Sequence, residues 1–213
     1  MTALPDLNMA KHTVASIFAV LEEGSKKEYL GEDISQLEHS LQTAQQARDA
    51  QADDETVIAA LLHDIGQFCD RQAAMDIMAE ASDLQDKTES TSTVKVGVKG
   101  HEYIGGQYLR KLGFSENVAQ LVEAHVVAKR YLTATDRAYY DGLSSASKAS
   151  LKYQGGPFSE DQVKEFERDP LFRKKVQLRL WDDKAKVVGL DLPGLASYKD
   201  TIIGHLLKEP LQQ

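Results

Sequence analysis

The sequence has little cysteine, no surplus of positive charge and no long apolar run. Its single cysteine, Cys69, excludes an intramolecular disulfide and is typical of a protein from a reducing cytoplasm. The net charge of −8 provides no basic surface, so neither nucleic acid nor a membrane is expected as a partner. No stretch approaches the roughly 20 apolar residues that span a bilayer, and the apolar segment 14–21 lacks a signal-peptide pattern. We therefore expect a cytoplasmic protein.

The composition is that of an ordinary globular domain. The chain has 213 residues, of which 42% are hydrophobic and 27% charged. These values are typical of folded proteins, and the length is sufficient to bury a core with a polar pocket inside it. We predict a single domain over residues 1–213, with its core at about 10–195, and a monomer is the simplest expectation.

Apolar residues recur with a helical period along nearly the whole chain. This periodicity predicts helices at about 8–24, 34–50, 55–66, 72–82, 101–112, 116–130, 143–153, 160–167, 170–188 and 195–208. Ser159, with Gln162 three residues later, predicts a capping box. Residues 83–99 are polar enough for a surface loop or lid. We find no convincing pair of strands and predict an all-α fold.

The dipeptide His63-Asp64 stands at the end of the apolar run 57–62. Such a dipeptide often arises by chance, and a lone histidine on an apolar helix face, such as His125, is more often a packing residue than a ligand. Four histidines, however, fall beside positions that must point inward: His39, His63, His101 and His125. Burying four imidazoles without strong partners would be costly, whereas imidazole and carboxylate bind divalent metals. The set predicts a dinuclear metal site, in which Asp64 can bridge the two ions and the Asp182-Asp183 pair lies nearby.

These residues carry a family resemblance. The order His39, His63-Asp64, Asp182 resembles the HD-domain superfamily, a helical fold whose commonest activity is metal-assisted phosphoester hydrolysis. Further stretches resemble the mixed-valent di-iron oxygenases that cleave 1-hydroxy-2-aminoethylphosphonates: YLGE at 29–32, QLEH at 36–39, EAH at 123–125, LSSAS at 143–147, GGP at 155–157 and LRLWD at 178–182. A more distant relative with the same metal pattern is myo-inositol oxygenase. The resemblance covers roughly residues 10–195.

The resemblance implies two iron ions, as Fe(II) and Fe(III), with O2 as the co-substrate. It assigns six metal ligands: His39, His63, Asp64, Asp182, His101 and His125. The first four belong to one iron, and Asp64 bridges to the second iron, which the last two complete. Asp182 is preferred over Asp183 because it stands four residues before Lys186, on the same helix face, as the family pattern requires.

The resemblance also implies residues that bind the phosphonate of a small-molecule substrate. Arg179 presents a planar fork that suits phosphonate oxygens, and Lys129 adds a second cation. Ser145 and Ser147 donate hydroxyl hydrogen bonds to the same oxygens. Taken singly, each of these residues has an ordinary alternative, as a solvated helix residue or as a turn or cap residue.

Three further residues are assigned to the reacting end of the substrate. Tyr29 occupies an iron until substrate displaces it, and Glu32 meets the ammonium group; together with Lys129 they form the expected catalytic set. Gln67, four residues after His63, stands where the enzymes that act on a primary amine carry a histidine, and it is expected to bind substrate.

The numerous tyrosines favour a quaternary ammonium group, because aromatic faces attract such cations. We therefore expect cleavage of (R)-1-hydroxy-2-(trimethylamino)ethylphosphonate to glycine betaine and phosphate. The close alternative is cleavage of (R)-2-amino-1-hydroxyethylphosphonate to glycine and phosphate.

Two other functions compete with oxygen chemistry. A dinuclear phosphohydrolase of the same superfamily has identical ligand types, which do not separate iron from manganese or cobalt. The residues Tyr29 and Glu32 favour the oxygenase, since a hydrolase has no need of a displaceable tyrosine. A non-enzymatic HD domain that serves as a sensor or binding module usually loses metal ligands, and none is missing here.

Overall fold

Helices make up most of the chain that a computed structural model describes, which comprises residues 6–24, 33–68, 76–80 and 93–209. They are α1 (Leu7–Gly24), α2 (Gln36–Asp49), α3 (Asp54–Leu62), α4 (His101–Lys111), α5 (Glu116–Thr135), α6 (Arg137–Gly142), α7 (Ser145–Tyr153), α8 (Glu160–Phe166), α9 (Phe172–Lys184) and α10 (Lys199–Leu206). Short 3-10 turns lie at Ile65–Gln67 and Leu195–Tyr198, and β1 (Asp76–Glu80) pairs with β2 (Thr93–Val98). The predicted helical fold class is confirmed.

Polar side chains at the helix starts explain where several helices begin. Ser35 and Glu38 form a reciprocal capping box on α2, and Ser159 and Gln162 form the predicted one on α8. A single side-chain oxygen caps other helices, among them Asp53 on α3, Ser115 on α5 and Ser144 on α7. Each cap satisfies a backbone N–H that has no partner within its helix.

Helix α3 is the centre of the fold. Every residue of α3 from Thr56 to Leu62 is buried, so the helix has no wide polar face and must be surrounded by other elements. Helices α2, α5, α9 and α10 all contact it. The apolar core that results extends from Ala10 on α1 to Leu206 on α10. No helix in the described ranges has the length and apolar character needed to cross a bilayer.

The helix predicted at 72–82 is wrong, and so is the expectation that no strands pair. Residues 76–80 form β1, which runs antiparallel to β2 with Met78 opposite Lys95 and Glu80 opposite Thr93. In β2, valine alternates at 94, 96 and 98, which is a strand pattern within the stretch predicted as a loop or lid. Pairing with β2 supplies backbone hydrogen bonds to a segment whose own sequence favours a helix, and this tertiary context overrides the local propensity.

Helices α3 and α9 are shorter than predicted. Helix α3 ends at Leu62 rather than Gly66, so that His63 and Asp64 lie just beyond its last residue. Helix α9 ends at Lys184 because α2 binds the chain that follows: the Gln42 side chain pairs with both backbone groups of Val187, at 2.7 and 2.9 Å. Backbone groups that would have continued the helix are bound by side chains instead.

Gly66 brings the turn after α3 against the first turn of α4. A Cβ atom at Gly66 would collide with the carbonyl oxygen of His101 and would lie 2.7 Å from the amide nitrogen of Gly105. Gly105 is similarly close, since its own Cβ would lie 3.2 Å from the nitrogen of Gly66. This backbone-to-backbone contact needs glycine, and it sets Asp64 beside His101.

Gly66→Ala is therefore expected to destabilise the protein by about 3 kcal/mol, because the obstructing atoms belong to the backbone and cannot rotate away. Urea unfolding measures this change. The matched control is Gly204→Ala on α10, where an added Cβ meets nothing within 4 Å. That substitution is expected to change the stability by no more than about 1 kcal/mol, in the stabilising direction. Equal stability of the Gly66→Ala variant and the wild type would contradict the close contact.

Candidate metal centre

The six predicted metal ligands lie together in the interior as two groups. One group contains His39, His63 and Asp182, and the other contains Asp64, His101 and His125; within each group the ligand atoms lie within 4.8 Å of one another. All six residues are buried. They come from the first turn of α2, the end of α3, α4, α5 and α9. The fold thus collects residues that are up to 143 positions apart in the sequence.

Each of the four histidines is oriented by a hydrogen bond from its Nδ1 to a backbone carbonyl. The acceptors are Ala185 for His39, Ala60 for His63, Val98 for His101 and Val122 for His125, at distances between 2.7 and 2.9 Å. A carbonyl oxygen can only accept, so Nδ1 carries the proton in every ring. The Nε2 atom of each neutral ring therefore carries no proton and can bind a cation, in the arrangement typical of metal-binding histidines.

The Nε2 atoms face each other in pairs. The Nε2 atoms of His39 and His63 are 3.0 Å apart, and those of His101 and His125 are 2.9 Å apart. Two nitrogen ligands about 2.1 Å from one metal and at right angles to each other would be about 3.0 Å apart. Within each pair, the spacing therefore fits two nitrogen ligands of one metal ion.

The electrostatics of the histidines also favour a cation between them. Burial lowers the pKa of His63 and, with the neighbouring His101, lowers that of His125 to about 3, so both rings present neutral Nε2 atoms. At His101, burial is outweighed by the Asp64 carboxylate, which raises the pKa. The site attracts positive charge at the place where the rings and the carboxylate meet.

Asp64 lies between the two pairs of histidines. Its Oδ1 is 3.2 Å from Nε2 of His101 and 3.5 Å from that of His125, whereas its Oδ2 is 3.8 Å from Nε2 of His63 and 4.0 Å from that of His39. Burial would raise the pKa of this carboxyl, but the surrounding imidazoles prevail and hold it well below the usual range. One oxygen per pair is the geometry expected of a bridging carboxylate.

The structure distinguishes Asp182 from Asp183. The Oδ1 atom of Asp182 is buried, has no hydrogen-bond partner in the described part of the chain and lies 3.3 Å from Nε2 of His39. Asp183 points elsewhere, because it accepts hydrogen bonds from Arg179 and, at 2.6 Å, from the hydroxyl of Tyr139. An unpaired carboxylate oxygen in the interior is costly unless a cation meets it. The geometry therefore favours Asp182 over Asp183, and its assignment as a ligand stays a prediction.

A polar cavity of about 60 Å³ opens beside these residues. Its lining includes Asp64, His101, His125 and Asp182, and also Lys129, Arg179, Ser147 and Gln67, four of the residues predicted to bind substrate. Ser145 is not brought to the cavity, although it was predicted to bind the phosphonate. Ser144, Ser147 and Ser150 line it instead, because three-residue spacing keeps them on one face of the α7 region, whereas Ser145 is turned away. Tyr29 and Glu32 lie outside the described residues.

Known proteins match this chain over most of its length. A family model described as the HD domain matches residues 37–146, just over half of the chain. The chain belongs to the HD-domain family. It is 37% identical to a hydroxymethylphosphonate dioxygenase of Gimesia maris, over 87% of this chain and 84% of that protein. It is 34% identical to a [1-hydroxy-2-(trimethylamino)ethyl]phosphonate dioxygenase (glycine-betaine-forming) of Leisingera caerulea, over 84% and 83% of the two chains. An uncharacterised protein of Acanthamoeba polyphaga mimivirus is 32% identical, over 91% of this chain and 81% of that protein.

These relatives confirm the predicted resemblance. The HD-domain protein is an enzyme of the oxygenase branch, since it covers more than four-fifths of two dioxygenases at 34% identity or more. The buried histidines and carboxylates fit the metal that such enzymes require, because borderline nitrogen and hard oxygen donors suit iron.

Arg179 joins the metal centre to the cavity. Its guanidinium donates to Asp182 at 2.8 Å and to Asp183, and its Nε lies 3.1 Å from the hydroxyl of Tyr139. The two carboxylates offset its charge and hold the pKa of the guanidinium well above the usual value, although burial opposes them. The contact of Arg179 with Tyr139 was not predicted, and no motif marks it, because Tyr139 comes from α6 and meets Arg179 only in the folded chain.

Lys129 is a second cation of the cavity and is only 3% exposed. Its Nζ donates to the hydroxyl of Ser150 at 2.9 Å. Burial, followed by the nearby charge of Arg179, lowers the pKa of Lys129 to about 7. Ser150 and Lys186 also line the cavity, and sequence reasoning assigned neither of them to it. Each had a signal: Ser150 lies three residues after Ser147, and Lys186 lies four residues after Asp182.

Lys129→Met is expected to stabilise the metal-free protein by about 2 kcal/mol at pH 6, because it removes a buried charge. Between the folded pKa near 7 and the unfolded value near 10.5, the unfolded wild-type chain binds more protons than the folded one. The stability of the wild type therefore rises across this range, and the advantage of the variant disappears by about pH 10.5.

Urea unfolding of chelator-treated protein at pH 6, 7.5, 9 and 10 measures the difference. The exposed Lys164→Met variant is the control and should show no gain that depends on pH. A Lys129→Met variant that is less stable than the wild type at pH 6 would be inconsistent with the cost assigned to this lysine.

Proposed function

We propose that this HD-domain enzyme uses O2 to cleave the carbon–phosphorus bond of a 1-hydroxyphosphonate at a centre of two iron ions. The observation that carries the proposal is the sharing of Asp64 between two buried histidine pairs, beside a cavity that contains Lys129 and Arg179. The two dioxygenase relatives, whose names both contain a phosphonate substrate, support it.

The reaction balances without an external reductant. A hydroxyphosphonate R–CH(OH)–PO3H2 and O2 contain the atoms of the carboxylic acid R–COOH and phosphoric acid. The bonds between carbon and phosphorus, between carbon and hydrogen and within O2 break, and the substrate supplies all four electrons that reduce O2. Iron ions bound by the six predicted ligands would supply the oxygen-activating redox chemistry, which no protein side chain of the cavity offers.

The residues of the cavity bind and orient the substrate. The guanidinium of Arg179 is fixed by Asp182 and Asp183, so it can donate to a phosphonate oxygen without first losing side-chain freedom. Lys129 is protonated more readily once a dianionic phosphonate lies beside it, because the added negative charge raises its pKa. Ser147 and Ser150 line the same wall and offer hydroxyl groups. Tyr29 and Glu32 are proposed to act at the iron and at the amino group.

The described lining of the cavity bears on the substituent of the substrate. No tyrosine occurs among the described lining residues, and Tyr103 and Tyr153 are exposed. The aromatic faces invoked for a trimethylammonio group are therefore not found in this part of the chain. Two glutamines of the lining, Gln36 and Gln154, have buried Oε1 atoms that find no hydrogen-bond partner among the described residues. A primary ammonium has N–H groups to donate to such oxygens, whereas a trimethylammonio group has none.

We therefore favour (R)-2-amino-1-hydroxyethylphosphonate, which would yield glycine and phosphate, over the trimethylammonio compound, which would yield glycine betaine. The preference rests on an energetic argument, since a buried acceptor that gains a donor recovers a desolvation cost of about 1–3 kcal/mol. Gln36→Leu and Gln154→Leu should each raise the KM for the primary amine more than the KM for the trimethylammonio compound.

The central test is phosphate release by iron-loaded protein, with and without O2. The panel contains hydroxymethylphosphonate, the primary amine and the trimethylammonio compound. We expect release only with O2, and the highest kcat/KM with the primary amine. Release that does not need O2 would instead indicate a dinuclear phosphohydrolase. Iron binding without release from any of the three compounds would favour a sensor or binding module.

Tyr29→Phe tests the proposed displaceable ligand. Because the phenolic oxygen would contact iron only until substrate arrives, its loss should change the visible and Mössbauer spectra of the substrate-free protein and leave two irons bound. The spectra of the substrate complex should be unchanged. Loss of iron from the variant would mean that Tyr29 has a structural role instead.

A further inference from the structure

Gln67 contacts both the cavity and the backbone that holds His101. It lies in the 3-10 turn three residues after Asp64 and lines the cavity. Its Oε1 accepts a hydrogen bond of 3.0 Å from the N–H of Val98, the last residue of β2. The carbonyl of the same Val98 accepts the 2.9 Å hydrogen bond from Nδ1 of His101. Both backbone groups of Val98 are thereby occupied by residues of the metal centre.

These two hydrogen bonds define a role for Gln67 that differs from substrate binding. We propose that Gln67 is a positioning residue for the second metal: by fixing the backbone of Val98, it fixes the ring orientation and the tautomer of His101. This inference rests on the dinuclear centre of the proposed function. The Oε1 atom of Gln67 is committed to Val98, so it does not serve as the acceptor for an ammonium group of the substrate.

The local backbone explains why Val98 needs a side-chain partner. Gly100, which separates β2 from α4, has a φ of +71°, in the left-handed region that a glycine enters easily. This residue interrupts the regular backbone between β2 and α4, so the hydrogen bonds of Val98 help to set how the two elements meet. The hydrogen bond from Val98 to Gln67 ties the end of β2 to the turn that follows Asp64. The bridging carboxylate and His101 are thus positioned by one connected segment.

The expected effect of Gln67 on metal affinity follows from its distance from the metal ligands. Removing an outer partner of a metal-binding histidine typically weakens metal binding by about 10–100-fold. Because Gln67 acts through Val98 rather than on His101 directly, we expect about a tenfold loss of affinity for the second iron, the lower end of that range. The iron held by His39, His63 and Asp182 should be affected little, since none of their described hydrogen bonds involves Val98.

The test compares three variants with the wild type. Gln67→Leu removes the acceptor oxygen at nearly the same volume, and Gln67→Glu restores an oxygen at the same reach. Gln154→Leu is the matched control, because Gln154 lines the same cavity but has no hydrogen bond to Val98 or to a predicted ligand. If Gln67→Leu does not fold, as judged by circular dichroism, Gln67→Met makes the same comparison with a side chain of equal length.

The first measurement is hydrogen exchange of the Val98 amide in chelator-treated protein, which requires neither iron nor turnover. Exchange should be about tenfold faster in Gln67→Leu, in keeping with the loss of one neutral hydrogen bond. The rates in Gln67→Glu and Gln154→Leu should equal that of the wild type. An unchanged rate in Gln67→Leu would overturn the inference.

The second measurement is iron stoichiometry during chelator titration, followed by Mössbauer spectroscopy. Gln67→Leu should release one iron at about a tenfold lower chelator concentration than the wild type, and its spectrum should change from coupled to isolated iron. Gln67→Glu and Gln154→Leu should behave like the wild type. Retention of both irons in Gln67→Leu with wild-type affinity would refute the positioning role. A wild type that binds fewer than two irons would contradict the proposed function instead, and the exchange of Val98 would still decide whether Gln67 holds β2.

Discussion

The arrangement of the helices depends on one buried carboxylate that two pairs of imidazoles share. Asp64 stands just past the end of α3, the most deeply buried helix, where an uncompensated negative charge would cost several kcal/mol. Its Oδ1 faces His101 and His125, from α4 and α5, and its Oδ2 faces His39 and His63. The helices around α3 therefore have two roles: they bury its apolar surface, and they bring cation-binding nitrogens to Asp64.

Other charged side chains are buried beside the metal centre, and their burial is explained by function rather than by stability. Arg179 is held between Asp182 and Asp183, and the buried Lys129 donates a hydrogen bond to the hydroxyl of Ser150. Well-packed apolar residues would often be as stable in such positions or more so. A cavity that binds a phosphonate dianion, as proposed, needs preorganised cations. Burying these cations lowers the stability of the fold, which is the usual trade-off between stability and activity at a binding site.

The fold and the candidate site differ in how far they can be predicted from sequence. The order of His39, His63-Asp64 and Asp182 along the chain identifies the HD-domain family, and the family match and the relatives bear this out. Helical periodicity predicts most helices within a few residues. Local pattern fails at 72–82, where the strand β1 depends on a partner more than a dozen residues away. It also fails at α7, where the register of the helix decides which serines face the cavity.

The sequence by itself determined the helical class, the identity of the six candidate ligands and the family, because these depend on residue type, order and a period of 3.6. Only the tertiary structure favours Asp182 over Asp183, brings Ser144 and Ser150 rather than Ser145 to the cavity, and joins Gln67 to His101 through Val98. Such choices depend on the rotation of a helix about its axis and on contacts between distant segments. Both are determined by packing around α3, which involves segments that are far apart in the sequence.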